Sequence, residues 1–305
     1  MFQFILRRML WTIPVIFVVS ALTFVLMHSV PGSPFTRERA LPEAIQKNLE
    51  AKYHLNDPLW KQYGDYMWGF IRLDFGPSIA YRARTVNEIL AQQWPVTMTL
   101  GAVAFVFAAC IGIPLGILSA VKQNSLIDHS SMVVAMLGVS IPSIALGPFL
   151  IWIFALKLKW LPVATWGTPA HIILPALTLS TFYLSRFARI TRASMLQVTR
   201  EEYIVTARAK GVRESVVNLK HAFRNALIPV TTIAGPAFAD ILTGSLVVEQ
   251  IFGIPGIGKY YVTSIGNRDY PVIMATTLIF ALLIIFMNLL VDISYALLDP
   301  RIRYT

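Results

Sequence analysis

Few residues in this chain have the types and spacing that chemistry needs. Gly253-Ile-Pro-Gly-Ile-Gly258-Lys259 has the Gly-x4-Gly-Lys spacing of a phosphate-cradling loop. Its next residue is Tyr260, where such a loop carries the Ser or Thr that holds magnesium, so a Gly/Pro-rich re-entrant turn fits better. His28, His54, His129, His171 and His221 are scattered without a second His or Cys one helical turn away, which argues against a metal-binding face. The single cysteine, Cys110, lies among Ala and Ile and reads as a small apolar packing residue. No serine-nucleophile elbow or Cys/His arrangement is present, so the chain reads as a non-enzyme that binds no cofactor. Two carboxylates remain, Asp240 and Asp292, each inside a long apolar run. A charge at that depth is costly and is a functional candidate by default. Without a basic intramembrane partner they make a thin proton relay. Asp240 fits a substrate pathway or a helix–helix hydrogen bond equally well, and Thr178 and Ser180 join it as pathway candidates. Asp292 fits a structural pairing with Arg301.

These residues must be positioned by membrane helices. Of 305 residues, 56% are hydrophobic and only 14% are charged, too few charges to cover a soluble domain of this size. No Asp, Glu, Lys or Arg falls between Arg8 and Arg37, Glu88 and Lys122, Asp128 and Lys157, Lys159 and Arg186, or Asp269 and Asp292. Each gap exceeds the roughly 20 apolar residues that cross a bilayer core. With the run from Ala226 to Val248, broken only by Asp240, this predicts an all-α protein with six transmembrane helices. Their cores fall near Leu10–Met27, Thr97–Ala120, Met132–Leu156, Ile172–Phe187, Leu227–Val248 and Val272–Leu297. Barrel strands are excluded because they alternate over about ten residues, whereas these runs are continuous. Pro142, Pro175, Gly235-Pro236 and Gly244 are expected to bend the helices. The Arg7-Arg8 pair precedes a run too long for a cleaved signal, so an uncleaved first helix is expected.

Orientation follows from the basic residues. The segment 188–226 carries Arg189, Arg192, Arg200, Arg208, Lys210, Arg213, Lys220 and Arg224, with Arg186 just before it. Positive charge collects in cytoplasmic loops, so both termini lie inside. The net charge of +10 is thereby accounted for by anionic lipid rather than nucleic acid. The expected division is residues 1–30 (cytoplasmic end and first span), 31–95 (outer loop with short helices), 96–300 (five-helix core containing the loop 188–226) and 301–305 (tail).

Within the outer loop, helices are expected over Leu41–Tyr53, from Asp57-Pro58 with Asp57 as N-cap, and from a Thr85-x-x-Glu88 capping box to a stop near Pro95. In the cytoplasmic loop, a second box at Thr199 and Glu202 is expected to open a short helix through Ala209, stopped by Gly211. A further helix is expected over Glu214–Phe223, with Val216, Val217, Leu219 and Phe223 as its apolar contacts.

Thr206-Ala-Arg-Ala-Lys-Gly211, followed by Lys220-His-Ala-Phe-Arg-Asn-Ala-Leu-Ile-Pro229, resembles the signature loop of binding-protein-dependent ABC importer permeases. The likeness is strongest to the first (B-type) permease of the oligopeptide/dipeptide branch, and it extends along the chain. It takes in Arg7-Arg8 with Pro14, Pro31-Gly-Ser-Pro34, His54-Leu-Asn-Asp-Pro58, Asp74-Phe-Gly-Pro-Ser78, Gly244-Ser245 with Val248-Glu249, Asn267-Arg-Asp-Tyr270 and Asp299-Pro-Arg-Ile-Arg-Tyr304. Against the generic permease signature, Val205 and Thr206 replace its Glu and first Ala, and His221 and Arg224 its Ile and Pro. These departures are similar to the peptide branch.

The resemblance implies a type I ABC importer permease fold in a bacterial inner membrane. It also implies a second homologous permease, two cytoplasmic ATPases that use ATP and magnesium, and an extracytoplasmic peptide-binding protein. The coupling loop would comprise Glu202, Thr206, Ala207, Arg208, Ala209, Lys210, Gly211 and His221. Its small residues would let a partner approach, and Arg208 and Lys210 would pair with the partner's carboxylates. Alternatives are the same architecture carrying dipeptides, glutathione or a nickel complex, an ion-coupled secondary transporter using Asp240 and Asp292, or a membrane scaffold.

Overall fold

The computed structural model describes residues 2–30, 53–81 and 83–298. Among them every regular element is helical, apart from one isolated bridge between Pro77 and Thr85. In chain order these are α1 (Phe2–Ser29), α2 (Leu59–Arg72), α3 (Val86–Val121), α4 (Leu126–Ser140) and α5 (Ser143–Leu150, continued by a π-wound stretch Ile151–Lys157). They are followed by α6 (Pro169–Val198), α7 (Glu202–Ala209), α8 (Glu214–Ile251, π-wound over Val217–Ala222), α9 (Ile257–Asn267) and α10 (Tyr270–Leu298). The helix expected over 41–53, except for Tyr53, the Asp292–Arg301 pairing, Pro31-Gly-Ser-Pro34 and the segment 299–304 lie outside the described residues.

Among the described residues, four helical stretches are long and apolar enough to cross a membrane: Leu6–Ser29, Val86–Val121, Glu214–Ile251 and Tyr270–Leu290. The fifth crossing is the pair α4 and α5 with its π extension, and it is not the straight span expected over Met132–Leu156: the two halves meet at a 108° bend. Pro142 is the cause. It lacks an N–H to continue the ladder and forces the preceding Ile141 into extended backbone (φ −98°, ψ 114°). The sixth is α6, whose 30 residues suffice in length although Arg186, Arg189 and Arg192 make its second half polar.

Two other boundaries differ from expectation. The Thr85–Glu88 box forms in full, with the Thr85 amide donating to the Glu88 carboxylate at 3.0 Å and the Glu88 amide to the Thr85 hydroxyl at 3.2 Å. The helix it opens does not stop at Pro95, however. Losing one N–H is a small defect in a 36-residue ladder whose Leu90, Gln93 and Thr97 are buried on either side of the proline. At α2, Pro58 rather than Asp57 takes the N-cap position. The Asp57 carboxylate instead accepts from the Lys61 ammonium at 2.7 Å, a hydrogen bond that holds its carboxyl below the usual range.

The chain forms two compact units. The first contains residues 1–97 and 255–285 and is knit by buried polar contacts. The fully buried Asp269 carboxylate accepts from the Ser78 hydroxyl and, at 3.1 Å each, from the backbone amides of Ile79 and Ala80. The Gly253–Lys259 stretch leads into this unit. Gly253, at φ +61°, turns the chain after α8, and α9 begins at Ile257, whose amide donates to Thr97 Oγ1 at 2.9 Å. A helix, not a strand, precedes this turn, which is not the context of a nucleotide loop.

The second unit contains residues 98–254 and 286–305, centred on α3, α6 and α8. Ala108, Phe187, Val230 and Ala237 form its membrane-depth core, with Phe105 edge-on to both Phe187 and Phe238. Gly116 lets α3 lie directly on α6: a Cβ there would stand 2.5 Å from the Ala188 carbonyl oxygen.

A candidate docking site on the cytoplasmic loop

The basic loop folds as a short helix on a rigid base. Fully buried Ile204 of α7 packs with Ala120 of α3, Met195 of α6, and Val217, Ala222 and Ala226 of α8; half-buried Ala207 and Val212 close the edges. Three elements of the second unit therefore hold α7 from beneath. The other face of α7 is open, with Glu202, Tyr203, Val205, Thr206, Arg208 and Ala209 all exposed. Lys210 and Gly211 continue that surface. Gly211 sits at φ +75°, where a side chain would be strained, and its amide donates to the Arg208 carbonyl at 2.9 Å.

The expected capping box at Thr199 does not form. Thr199 instead terminates α6 and turns its hydroxyl back to the Leu196 carbonyl, while Glu201 takes the N-cap position of α7 without a side-chain bond. Nor does the helix over Glu214–Phe223 stand alone: it runs unbroken into the membrane-spanning part of α8. Val217 is buried as expected and Phe223 is partly so, but Val216 and Leu219 point outward.

Arg208, expected to face a partner, is already engaged within the chain. Its guanidinium makes a two-pronged contact with Glu214, at 3.2 Å from Nε and 2.8 Å from Nη2. This pair closes the turn around Gly211 and leaves Lys210 as the forward-facing cation of the motif. Ala207 likewise turns toward the core, and His221 is half-buried on the π-wound stretch of α8. The Tyr203 hydroxyl accepts from the Asn225 side-chain amide at 2.6 Å, a second tie between α7 and α8.

An ion pair near this loop was not legible as such in the sequence. Asp128, in the first turn of α4, is only 3% exposed. It receives both prongs of Arg192 from α6 at 2.8 Å each, the Asn124 amide at 2.9 Å, and the Ser119 hydroxyl of α3. One carboxylate thus joins the cytoplasmic ends of three helices. Met195, which supports α7, lies one turn beyond Arg192. In the sequence Arg192 is one positive charge among many; the local signal is Ser125-x-x-Asp128, where Ser125 caps α4.

The pathway candidates separate. Thr178 and Ser180 are buried, and their hydroxyls return to the carbonyls of Leu174 and Leu177 at 2.8 and 3.0 Å. They stabilise α6 and do not line a surface. Asp240 is exposed on α8, with Tyr183 of α6 within electrostatic reach. Farther along α8, next to the end of the apolar run, Glu249 is fully buried and accepts from Ser245 at 2.9 Å; at the edge of that run it does not stand out in the sequence as an isolated acid. Among the described residues no group of His, Cys, Asp and Glu could hold a metal.

Comparison with known proteins agrees with this architecture. Residues 112–304 match the family described as binding-protein-dependent transport system inner membrane component, and residues 1–101 match its N-terminal counterpart. A dipeptide transport system permease protein of Bacillus subtilis (strain 168) is 48% identical over 303 residues, 99% of this chain and 98% of its own. An oligopeptide transport system permease protein of Haemophilus influenzae is 46% identical over the full length of both chains. A glutathione transport system permease protein of Shigella flexneri is 43% identical, again over both full lengths. Among solved structures, the inward-facing MetNI methionine ABC transporter shares the fold at a TM-score of 0.57 and 18% identity, over 69% of this chain and 96% of that one. The full-length relatives and the two matched regions place the chain, as a multi-pass permease subunit with a type I ABC importer fold, in the family of inner membrane components of binding-protein-dependent transport systems.

Proposed function

We propose that this permease, paired with a second homologous permease, forms the pore of an ATP-driven importer of oligopeptides. An extracytoplasmic binding protein would deliver the peptide. Two cytoplasmic ATPases would hydrolyse ATP with magnesium, and one of them would receive α7 in a surface cleft. The observation that carries this reading is the open face of α7, braced from beneath by three helices of its own unit. A helix of eight residues is marginal alone, so its order comes from that base, which can transmit a push. Exposed Tyr203 and Val205 offer apolar contact, and Ala209 and Gly211 offer close backbone approach. Lys210 supplies a charge for a partner carboxylate.

Peptides are the favoured substrate because relatives named for dipeptide, oligopeptide and glutathione transport are all similar over their whole length. All three names share a peptide-like cargo. Exposed Asp240 would lie on the translocation pathway and meet the charged or amide groups of such a cargo. Two measurements test the reading. Mass spectrometry of ligands retained by the cognate binding protein is expected to find peptides of several residues; a metal complex or sugar would overturn the substrate. Co-purification is expected to recover ATPase subunits with the wild-type permease and not with Ala209→Glu; equal recovery would overturn the docking role of α7.

A further inference from the structure

Helix α2 of the outer loop has three differently occupied sides. Tyr63 and Tyr66 pack on α1, where Phe24 meets their rings at 5.4 and 6.2 Å. The Tyr63 hydroxyl is 2.7 Å from Ser20 Oγ. Gln62, Asp65, Tyr66 and Gly69 face a cavity of about 380 Å³. The third side is apolar and open: Trp60 is 76% exposed, Trp68 55% and Ile71 67%, with Leu73 just past the helix at 67%. Spacings of eight and eleven residues put Trp60, Trp68 and Ile71 on one stripe.

Depth decides what covers this stripe. Ser20 lies nine residues inside the outer end of α1, about 14 Å at the helical rise of ~1.5 Å per residue. A hydrocarbon leaflet is about 15 Å deep. The Tyr63 ring therefore reaches hydrocarbon depth, and the buried Ser20 hydroxyl and the phenol satisfy each other where water is absent. The face of α1 turned away from this contact exposes Val18, Leu22, Val25 and Leu26, as a lipid-facing helix does. The stripe on α2 is apolar and open in the same way. Its border carries charge: Lys61 is exposed, and the Arg72 guanidinium lies 4.5 Å from the Trp68 ring centre. Indole rings beside cations are the composition of a membrane–water interface.

We propose that α2 is an outer-leaflet anchor, with Trp60, Trp68 and Ile71 inserted among lipid chains and Lys61 and Arg72 at the headgroups. The anchor fixes the entry of the outer loop against span one, and it does so whichever substrate is carried. The test uses the full transporter in liposomes, with Cys110→Ser as background and a spin label placed singly through Trp60→Cys, Trp68→Cys, Ile71→Cys, Lys61→Cys or Ala83→Cys. Relaxation by oxygen, which concentrates in lipid, is compared with relaxation by a water-soluble nickel chelate. Oxygen is expected to dominate severalfold at 60, 68 and 71, and the chelate at 61 and 83. Chelate dominance at 60, 68 and 71 would overturn the proposal. So would protection from both reagents, which would mean that the second permease or the binding protein covers the stripe. Brominated-chain lipids provide a label-free check. They are expected to quench wild-type fluorescence more than that of the Trp60→Phe/Trp68→Phe variant, and equal quenching would count against the anchor.

Discussion

The Asp128–Arg192 pair shows how one carboxylate can organise three helix ends. Its worth lies in geometry, because two charges brought together out of water gain little unless every lone pair is met. Here the carboxylate meets a guanidinium, a hydroxyl and an amide. Removing one partner leaves the other charge uncompensated. Asp128→Ala is therefore expected to destabilise the permease by about 3 kcal/mol, the lower end for breaking a buried pair, since Arg192 keeps partial access to water. Thermal unfolding in detergent measures this, and Asp128→Ala/Arg192→Leu should recover part of the loss. A double variant as unstable as the sum of the two singles would show that the charges do not interact. Asp240 is a contrasting case: it is exposed and makes no comparable cluster, so Asp240→Asn should leave unfolding unchanged while lowering peptide uptake severalfold. Unaltered uptake would remove it from the pathway. From sequence alone the two acids ranked the other way. Asp240 stood out because it interrupts an apolar run, whereas Asp128 looked like the edge of one. Burial by a distant residue such as Arg192 leaves no local pattern.

At the level of elements, periodicity and composition located the helices and missed what happens where they join. The runs around α1, α3, α8 and α10 were readable because nothing else satisfies the backbone in lipid. The third run contained its own exception in Pro142, legible as a bend but not as a turn of 108°. Pro142→Ala is expected to straighten the junction, and spin labels at Ser130→Cys and Leu156→Cys would then report a longer distance. An unchanged distance would place the cause of the bend in the packing around it. Capping motifs were reliable only where the helix start was free to use them. Thr85 and Glu88 formed their box, whereas Thr199 was already committed to closing α6. For α7, Gly211→Asn should retain docking because Asn tolerates the left-handed backbone, and Ala209→Glu should abolish it without strain. ATPase co-purification compares the two, and equal loss in both variants would point to a folding defect instead of a lost contact.

On the scale of the whole molecule, the chain has the parts of a transmission. A short outward-facing helix sits on a base formed by the inner ends of α3, α6 and α8, and the Asp128 cluster ties α4 to the same base. Pushing α7 would thus move the cytoplasmic ends of several spans together. Composition and charge made the membrane class and orientation legible, and the loop motif pointed to a docking partner. The support beneath the loop was not legible, because it depends on contacts among residues far apart in sequence. The most direct test is peptide uptake into proteoliposomes containing both permeases, both ATPases and the binding protein. Uptake should require internal or external ATP on the ATPase side, should vanish when the ATPases are omitted, and should fall to background with Ala209→Glu. Peptide uptake that proceeds without the ATPases under an ion gradient would contradict the account.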